Sequence, residues 1–97
     1  MKRLSDEAIA EKLSGLTGWR RTGEAIAKTY RFETFLGGIA FVNRVAEIAE
    51  EIDHHPDITV RYRRVAFSVT TYSAGGLTVL DFELAKRIDG AYESRAE

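Results

Sequence analysis

The sequence predicts an α+β fold in the order α-β-β-α-β-β-α, a four-stranded antiparallel sheet with helices packed on one face. Three observations carry this. Three stretches repeat their apolar residues at the helical period of about 3.6. Three short stretches alternate apolar and polar residues, as half-buried strands do, and Trp19 to Arg21 offers a fourth strand. Turn signals join those four into two hairpins, which implies an antiparallel sheet with one covered face.

Ser5 stands at an N-cap position, with Leu4 and Ile9 placed as a hydrophobic staple. Ile9, Leu13 and Leu16 follow at helical spacing, and Gly15 and Gly18 end the element. Trp19 to Arg21 begins a strand. Thr22-Gly23-Glu24 is a turn, after which Ile26, Tyr30 and Phe32 share one strand face that Lys28 interrupts.

The second helix spans about Thr34 to Ile52. It carries two adjacent stripes, Phe35-Ile39-Val42-Ala46-Ala49 and Phe41-Val45-Ile48-Ile52, which together cover about half its circumference. Two readings follow: a deeply buried core helix, or a second stripe that meets another subunit. Pro56 disfavours helical backbone at His55, so the helix ends within Asp53-His54-His55-Pro56-Asp57. Ile58, Val60 and Tyr62 alternate as a strand, Arg63-Arg64 supplies a tight turn, and Val65, Phe67, Val69 and Thr71 form the returning strand. Ser73 to Gly76 is a loop. Thr78 and Asp81 make a capping box, with aspartate in place of the usual glutamate. Phe82, Ala85, Ile88 and Tyr92 mark the last helix.

The 97 residues fit a single domain over 1–97. Fourteen basic residues against 15 acidic ones leave a net charge of -1, which argues against direct nucleic-acid or membrane-surface binding. The chain has no cysteine, so disulfides, thiolate metal sites and cysteine nucleophiles are excluded. Its N-terminus lacks an apolar signal core, and no apolar run reaches membrane-spanning length. A cytoplasmic location is expected.

The two histidines of the chain, His54 and His55, are adjacent at a helix end. Imidazole exchanges protons near neutral pH, so the doublet is a candidate acid–base pair. Alternatively, one ring caps the helix and the other is incidental. Asp53, His54, His55 and Asp57 could also ligate a metal, but their spacing matches no metal motif and no further nitrogen ligand is near. No metal or other cofactor is expected. Arg61, Arg63 and Arg64 read as a solvated strand edge that could attract an anion. Gly75-Gly76 lacks the surroundings of a phosphate loop, and no GxSxG elbow occurs.

Glu50-x-x-x-His54-His55-Pro56, followed by Tyr62 and later Asp81, resembles the signature of the pterin-4a-carbinolamine dehydratase family. Gly18-Trp19, Phe41 to Ala46, Thr70-Thr71, Ala74 to Thr78 and Asp81 to Ala85 extend the resemblance over nearly the whole chain. The family fold has the element order given above. The resemblance implies dehydration of a 4a-hydroxytetrahydropterin to quinonoid dihydropterin and water, the tetrahydrobiopterin-recycling reaction, without a cofactor. It also implies a homodimer or homotetramer.

By the same carry-over, Glu50, His54, His55 and Tyr72 are the catalytic candidates. Asp53, His54, His55, Pro56, Thr70, Thr71, Tyr72, Ser73 and Asp81 line the substrate cleft. His54 would exchange the proton, His55 position the pterin, and Glu50 orient His54 from one helical turn away. The family usually carries a third active-site histidine where Tyr72 stands, so the implied turnover is reduced. Two alternatives share the fold: a pterin-binding protein with weak turnover, and a protein-interaction role such as transcriptional cofactor or rubisco assembly factor.

Overall fold

The computed structural model describes residues 1–96. Its elements follow the predicted order: α1 (Asp6–Ser14), β1 (Arg20–Thr22), β2 (Ala25–Arg31), α2 (Phe35–Ile52), β3 (Asp57–Arg61), β4 (Arg64–Val69) and α3 (Val79–Glu93). A short 3-10 turn at Tyr72–Ala74 precedes α3. The strands form one antiparallel sheet in the order β1-β2-β4-β3. The two hairpins therefore join through β2 and β4, leaving β1 and β3 at the edges.

The helix starts are chemical. The Ser5 hydroxyl accepts from the Ala8 amide at 3.1 Å, and the Thr34 hydroxyl from Gly37 at 2.9 Å. At α3 the capping box is complete: Asp81 Oδ2 accepts from the Thr78 amide at 2.8 Å. Each cap satisfies amides that no helical carbonyl can reach.

Strand alternation aims Ile26 and Tyr30 of β2, and Val65, Phe67 and Val69 of β4, at the helices, where all five are buried. Phe41, Val45 and Ile48 of α2 and Phe82, Leu84, Ala85 and Ile88 of α3 complete the core. Each large side chain contributes roughly 1.5–3 kcal/mol by its burial. Gly38 lets α2 approach β4: a Cβ there would stand 3.3 Å from Val65 Cγ2.

Two expectations are corrected. The Phe41-Val45-Ile48 stripe does not face another subunit; it is buried in the chain's own core. The more open stripe is the other one, with Phe35 46% exposed, Ile39 and Val42 half-buried and Ala46 exposed, although Ala49 is buried; Leu36, 75% exposed, lies beside it. The sheet and α3 cover only part of the apolar arc of α2, and Phe41, Val45 and Ile48 lie on the covered side. The second correction concerns the β3–β4 turn. Arg61 pairs with Arg64, so the loop residues are Tyr62 and Arg63. Tyr62 leaves the strand, takes φ 51° and is exposed.

Lys28, the polar residue on an apolar strand face, meets its counterpart in α3. Its Nζ donates to Asp89 Oδ1 at 2.8 Å and to the Thr17 carbonyl at 2.9 Å. Asp89 also accepts from Trp19 Nε1 at 3.2 Å and from the Tyr30 hydroxyl. Burial, reinforced by that hydrogen bond, holds the Tyr30 phenol far above its usual range. No helix among the described residues is long and apolar enough to cross a membrane.

Candidate active site

The site is built where α2 ends. Asp53 takes the left-handed conformation at φ 52°, a position usually given to glycine. The His54 amide donates to Ala49 O at 3.0 Å and the Asp53 amide to Glu50 O at 3.4 Å. This paired closure is the Schellman motif. It stops the helix and turns the two histidines in different directions.

His54 turns inward and is only 9% exposed. Its Nε2 lies 2.6 Å from Asp81 Oδ1. The other oxygen, Asp81 Oδ2, accepts from the Thr71 hydroxyl at 2.8 Å as well as from the Thr78 amide. Thr71 and Thr78 share a further hydrogen bond of 2.9 Å. A carboxylate can only accept, so Nε2 carries a proton, and in the neutral ring Nδ1 holds the lone pair. Among the described residues no fully buried side-chain nitrogen or oxygen lacks a partner, so the unbonded Nδ1 reaches solvent. Asp81 itself is completely buried. Its fixed position selects one tautomer of His54 and one ring orientation.

His55 turns outward. Its Nε2 pairs with Glu50 Oε2, and both side chains are exposed. Glu50 thus orients His55, not His54 as expected. The turn at Asp53 lets the His55 ring reach back to Glu50 in the last turn of α2, while His54 turns toward Asp81.

Tyr72 follows Thr71 directly. It is 79% exposed, and its hydroxyl donates to Asp57 Oδ2 at 3.4 Å. Two tethers therefore hold segment 54–57 against segment 71–72: His54 to the Thr71–Asp81 pair, and Asp57 to Tyr72. A shallow cavity of about 280 Å3 opens beside Tyr72 and Thr70, with Glu24, Ala25, Gly75 and Gly76 as its other walls. Neither histidine lines it.

The remaining expected residues are peripheral to these contacts. The Thr70 hydroxyl is tied to the Glu24 carbonyl at 2.5 Å. Asp53 and Ser73 are exposed, and Pro56 is half-buried. Asp57 and Thr78 belong to the site by contact, yet their roles were not foreseen. Thr78 was visible only as a helix cap, and Asp57 only as a possible metal ligand beside the doublet. Among the described residues no three His, Cys, Asp or Glu side chains gather as a metal site.

Comparison with known proteins identifies the family. The sequence profile of the family described as "Pterin 4 alpha carbinolamine dehydratase" matches residues 2–91. A protein of Thermomicrobium roseum named "Putative pterin-4-alpha-carbinolamine dehydratase" is 52% identical over 88 residues, covering 91% of this chain and 95% of its own. One of the same name from Roseiflexus sp. is 54% identical over 87 residues, 90% of this chain and 94% of its own. A crystal structure described as a transcriptional coactivator/pterin dehydratase of Brucella melitensis superposes with a TM-score of 0.88 at 33% identity, over 92% of this chain and 97% of its own. A pterin dehydratase-like protein identified as a RuBisCO assembly factor in the alpha-carboxysome superposes at 0.67 with 23% identity, over 80% of this chain and 93% of its own. That last likeness is one of fold alone. By profile, by sequence and by structure, the chain belongs to the pterin 4 alpha carbinolamine dehydratase family.

Proposed function

We propose that the protein dehydrates a 4a-hydroxytetrahydropterin to quinonoid dihydropterin and water, with His54 as the principal acid–base residue. The observation that carries this reading is the buried Asp81–His54 pair, which presents one imidazole nitrogen to solvent in a defined tautomer. The reaction breaks the C4a–O bond, forms the C4a=N5 bond and releases the N5 proton. The hydroxyl leaves as water by taking a proton from solvent, and the N5 proton returns to solvent through His54. His54 Nδ1 takes the N5 proton, and the Asp81 carboxylate stabilises the imidazolium that results. Such a group typically contributes roughly a hundredfold to ten-thousandfold in rate. Tyr72 donates a hydrogen bond to the leaving hydroxyl, and His55, fixed by Glu50, positions the pterin. Asp53, Pro56, Thr70, Thr71 and Ser73 form the surrounding cleft. No step requires a metal, so reduced-pterin binding should survive a strong chelator.

The test is a stopped-flow dehydration assay on the purified protein and on His54→Ala. Loss of most turnover in the variant supports the assignment; equal rates refute it. A second reading rests on Tyr72: a cleft that binds reduced pterin with little turnover. Saturable pterin binding without acceleration by the parent protein would select it. Should pterin not bind at all, a protein-interaction role takes precedence, in line with the coactivator and assembly-factor descriptions of the two solved structures.

The same reading includes self-association as a homodimer or homotetramer in the cytoplasm. The exposed Phe35, Leu36 and Ala46, with half-buried Ile39 and Val42, form an apolar stripe along α2 suited to a second copy. Light scattering at micromolar concentration should report a species larger than one chain. Phe35→Glu should shift it toward monomer.

A further inference from the structure

At the end of the sheet away from His54, three arginines stand side by side. Arg31 of β2 pairs with Arg64 of β4, and Arg64 pairs with Arg61 of β3. Alternation places all three on the face the helices leave open. Like charges directly opposite each other destabilise a sheet. Among the described residues none of the three makes an ion pair or side-chain hydrogen bond that would relieve this. Edge protection accounts for Arg61, which lies on an edge strand. It does not account for Arg31 and Arg64, whose strands are the two central ones.

The neighbouring row is shaped to match. Thr29, Ala66 and Thr59 are cross-strand partners on the same face, one step closer to the middle of the sheet. Ala66 is the low floor between two threonine hydroxyls. Thr29, Thr59, Ala66, Arg61 and Arg64 enclose a shallow cavity of about 320 Å3. Behind it, around the Tyr62–Arg63 turn, a second hollow of about 370 Å3 shares Arg61 and Arg64 and adds Arg31 and Arg63, with Glu33 as its one acid. The hairpin turn that brings Arg63 there holds Tyr62 at a positive φ, a conformation costly for a bulky side chain.

We propose that this row is a binding site for an oligophosphate group, separate from the pterin cleft. Guanidinium groups bind phosphate oxygens in a bidentate manner, and every cation of the row is arginine, none lysine. Three strands spaced ~4.8 Å apart put the row at about 10 Å, the reach of a short oligophosphate chain. Thr29 and Thr59 add neutral donors, and the ligand removes the cross-strand repulsion that the free protein carries.

Inorganic tripolyphosphate is the probe. Calorimetry should show saturable binding that weakens as salt rises. Amide shifts in NMR should gather at Thr29, Thr59, Arg61, Arg64 and Ala66. Arg31→Gln and Arg64→Gln should each reduce affinity about tenfold or more. Both side chains are exposed, and an unchanged circular dichroism spectrum verifies folding. Arg44→Gln, an exposed charge on α2, serves as the control and should leave affinity unchanged. A parallel titration with vesicles containing a polyphosphoinositide separates the two sources. Preference for free tripolyphosphate indicates a soluble ligand; preference for the vesicles indicates a lipid headgroup. Absence of saturable binding, an equal loss in Arg44→Gln, or binding only to single-stranded oligonucleotides of increasing length would overturn the proposal. None of these outcomes depends on whether pterin is dehydrated.

Discussion

Helix α3 carries two carboxylates that gather polar side chains from distant parts of the chain, and they are put to opposite uses. Asp89 accepts from Trp19, Lys28 and Tyr30. All three partners are pure donors toward it, and none holds a lone pair that chemistry near neutral pH could use. Asp81 accepts from Thr71, the Thr78 amide and His54. One of its partners is a ring whose far nitrogen remains open to solvent. A buried carboxylate surrounded by donors is a staple; the same carboxylate against an imidazole sets a tautomer. The difference lies in the last partner, not in the acid.

Asp89→Ala should produce the largest change in stability. It leaves an indole N–H, an ammonium and a phenol without their acceptor at a site that is about four-fifths buried. We expect a loss of about 3 kcal/mol, which lowers Tm by roughly 12–24 °C in a domain of this size. Dehydration per folded molecule should hardly change. Asp81→Asn should invert that pattern. An amide can still cap α3 in part, so stability falls by only about 1–2 kcal/mol. The tautomer of His54 is no longer fixed, and kcat should drop about 30-fold to 100-fold. Thermal unfolding and stopped-flow assays on both variants measure the contrast. If both changes lower Tm alike and neither changes kcat, the distinction between the two carboxylates is lost.

The staple also has a pH signature. The folded-state pKa of Tyr30 is raised by burial and by Asp89. In the unfolded chain a tyrosine ionises near ~10. Below that pH both states hold the proton, and the contribution of Tyr30 is fully present. Above it the unfolded state releases the proton and the folded state keeps it, so stability falls by ~1.4 kcal/mol per pH unit. Tyr30→Phe costs about 1 kcal/mol at neutral pH through its lost hydrogen bond. It should also flatten the decline between about pH 10 and 11. Urea midpoints across that range measure the slope, and identical slopes in the two proteins would rule out a shifted Tyr30.

What the sequence made legible followed the reach of each interaction. The caps at Ser5 and Thr78 and the break at Pro56 act within four residues, and all could be read; the Thr34 cap went unread, with Thr34 taken only as the approximate start of the helix. The two hairpins were readable for the same reason. The order β1-β2-β4-β3 was not, because alternation looks the same on every strand. The choice between the stripes of α2 depended on what covers the helix, which no local pattern encodes. Pairing of His54 with Asp81 spans 27 residues. Asp81 entered the expected site through family resemblance, and geometry then supplied its partner. Lys28 was a signal left unread: a lone cation on an apolar strand face implies a buried acid opposite, which is Asp89.

Tyr72 tests the open end of the catalytic network, and its effect should be the smallest. The phenol sits at the solvent side of the site, 79% exposed, with Asp57 as a distant acceptor at 3.4 Å. It can donate a hydrogen bond to the leaving hydroxyl but is a poor proton carrier, since a phenol ordinarily ionises near ~10. Tyr72→His places a group there that exchanges protons near neutrality. His54 remains in place, already oriented by Asp81, so the second imidazole supplements the acid–base residue proposed above. We expect kcat to rise about threefold to tenfold, a change of less than ~1.4 kcal/mol in the barrier. Stability should stay within about 0.5 kcal/mol, as for other exposed substitutions. Combining Tyr72→His with Asp81→Asn sharpens the comparison. If the new imidazole works alongside His54, its gain should shrink once His54 loses its anchor. If the gain is undiminished, the introduced imidazole has taken over the chemistry alone, and the Asp81–His54 pair is not what drives turnover in that variant.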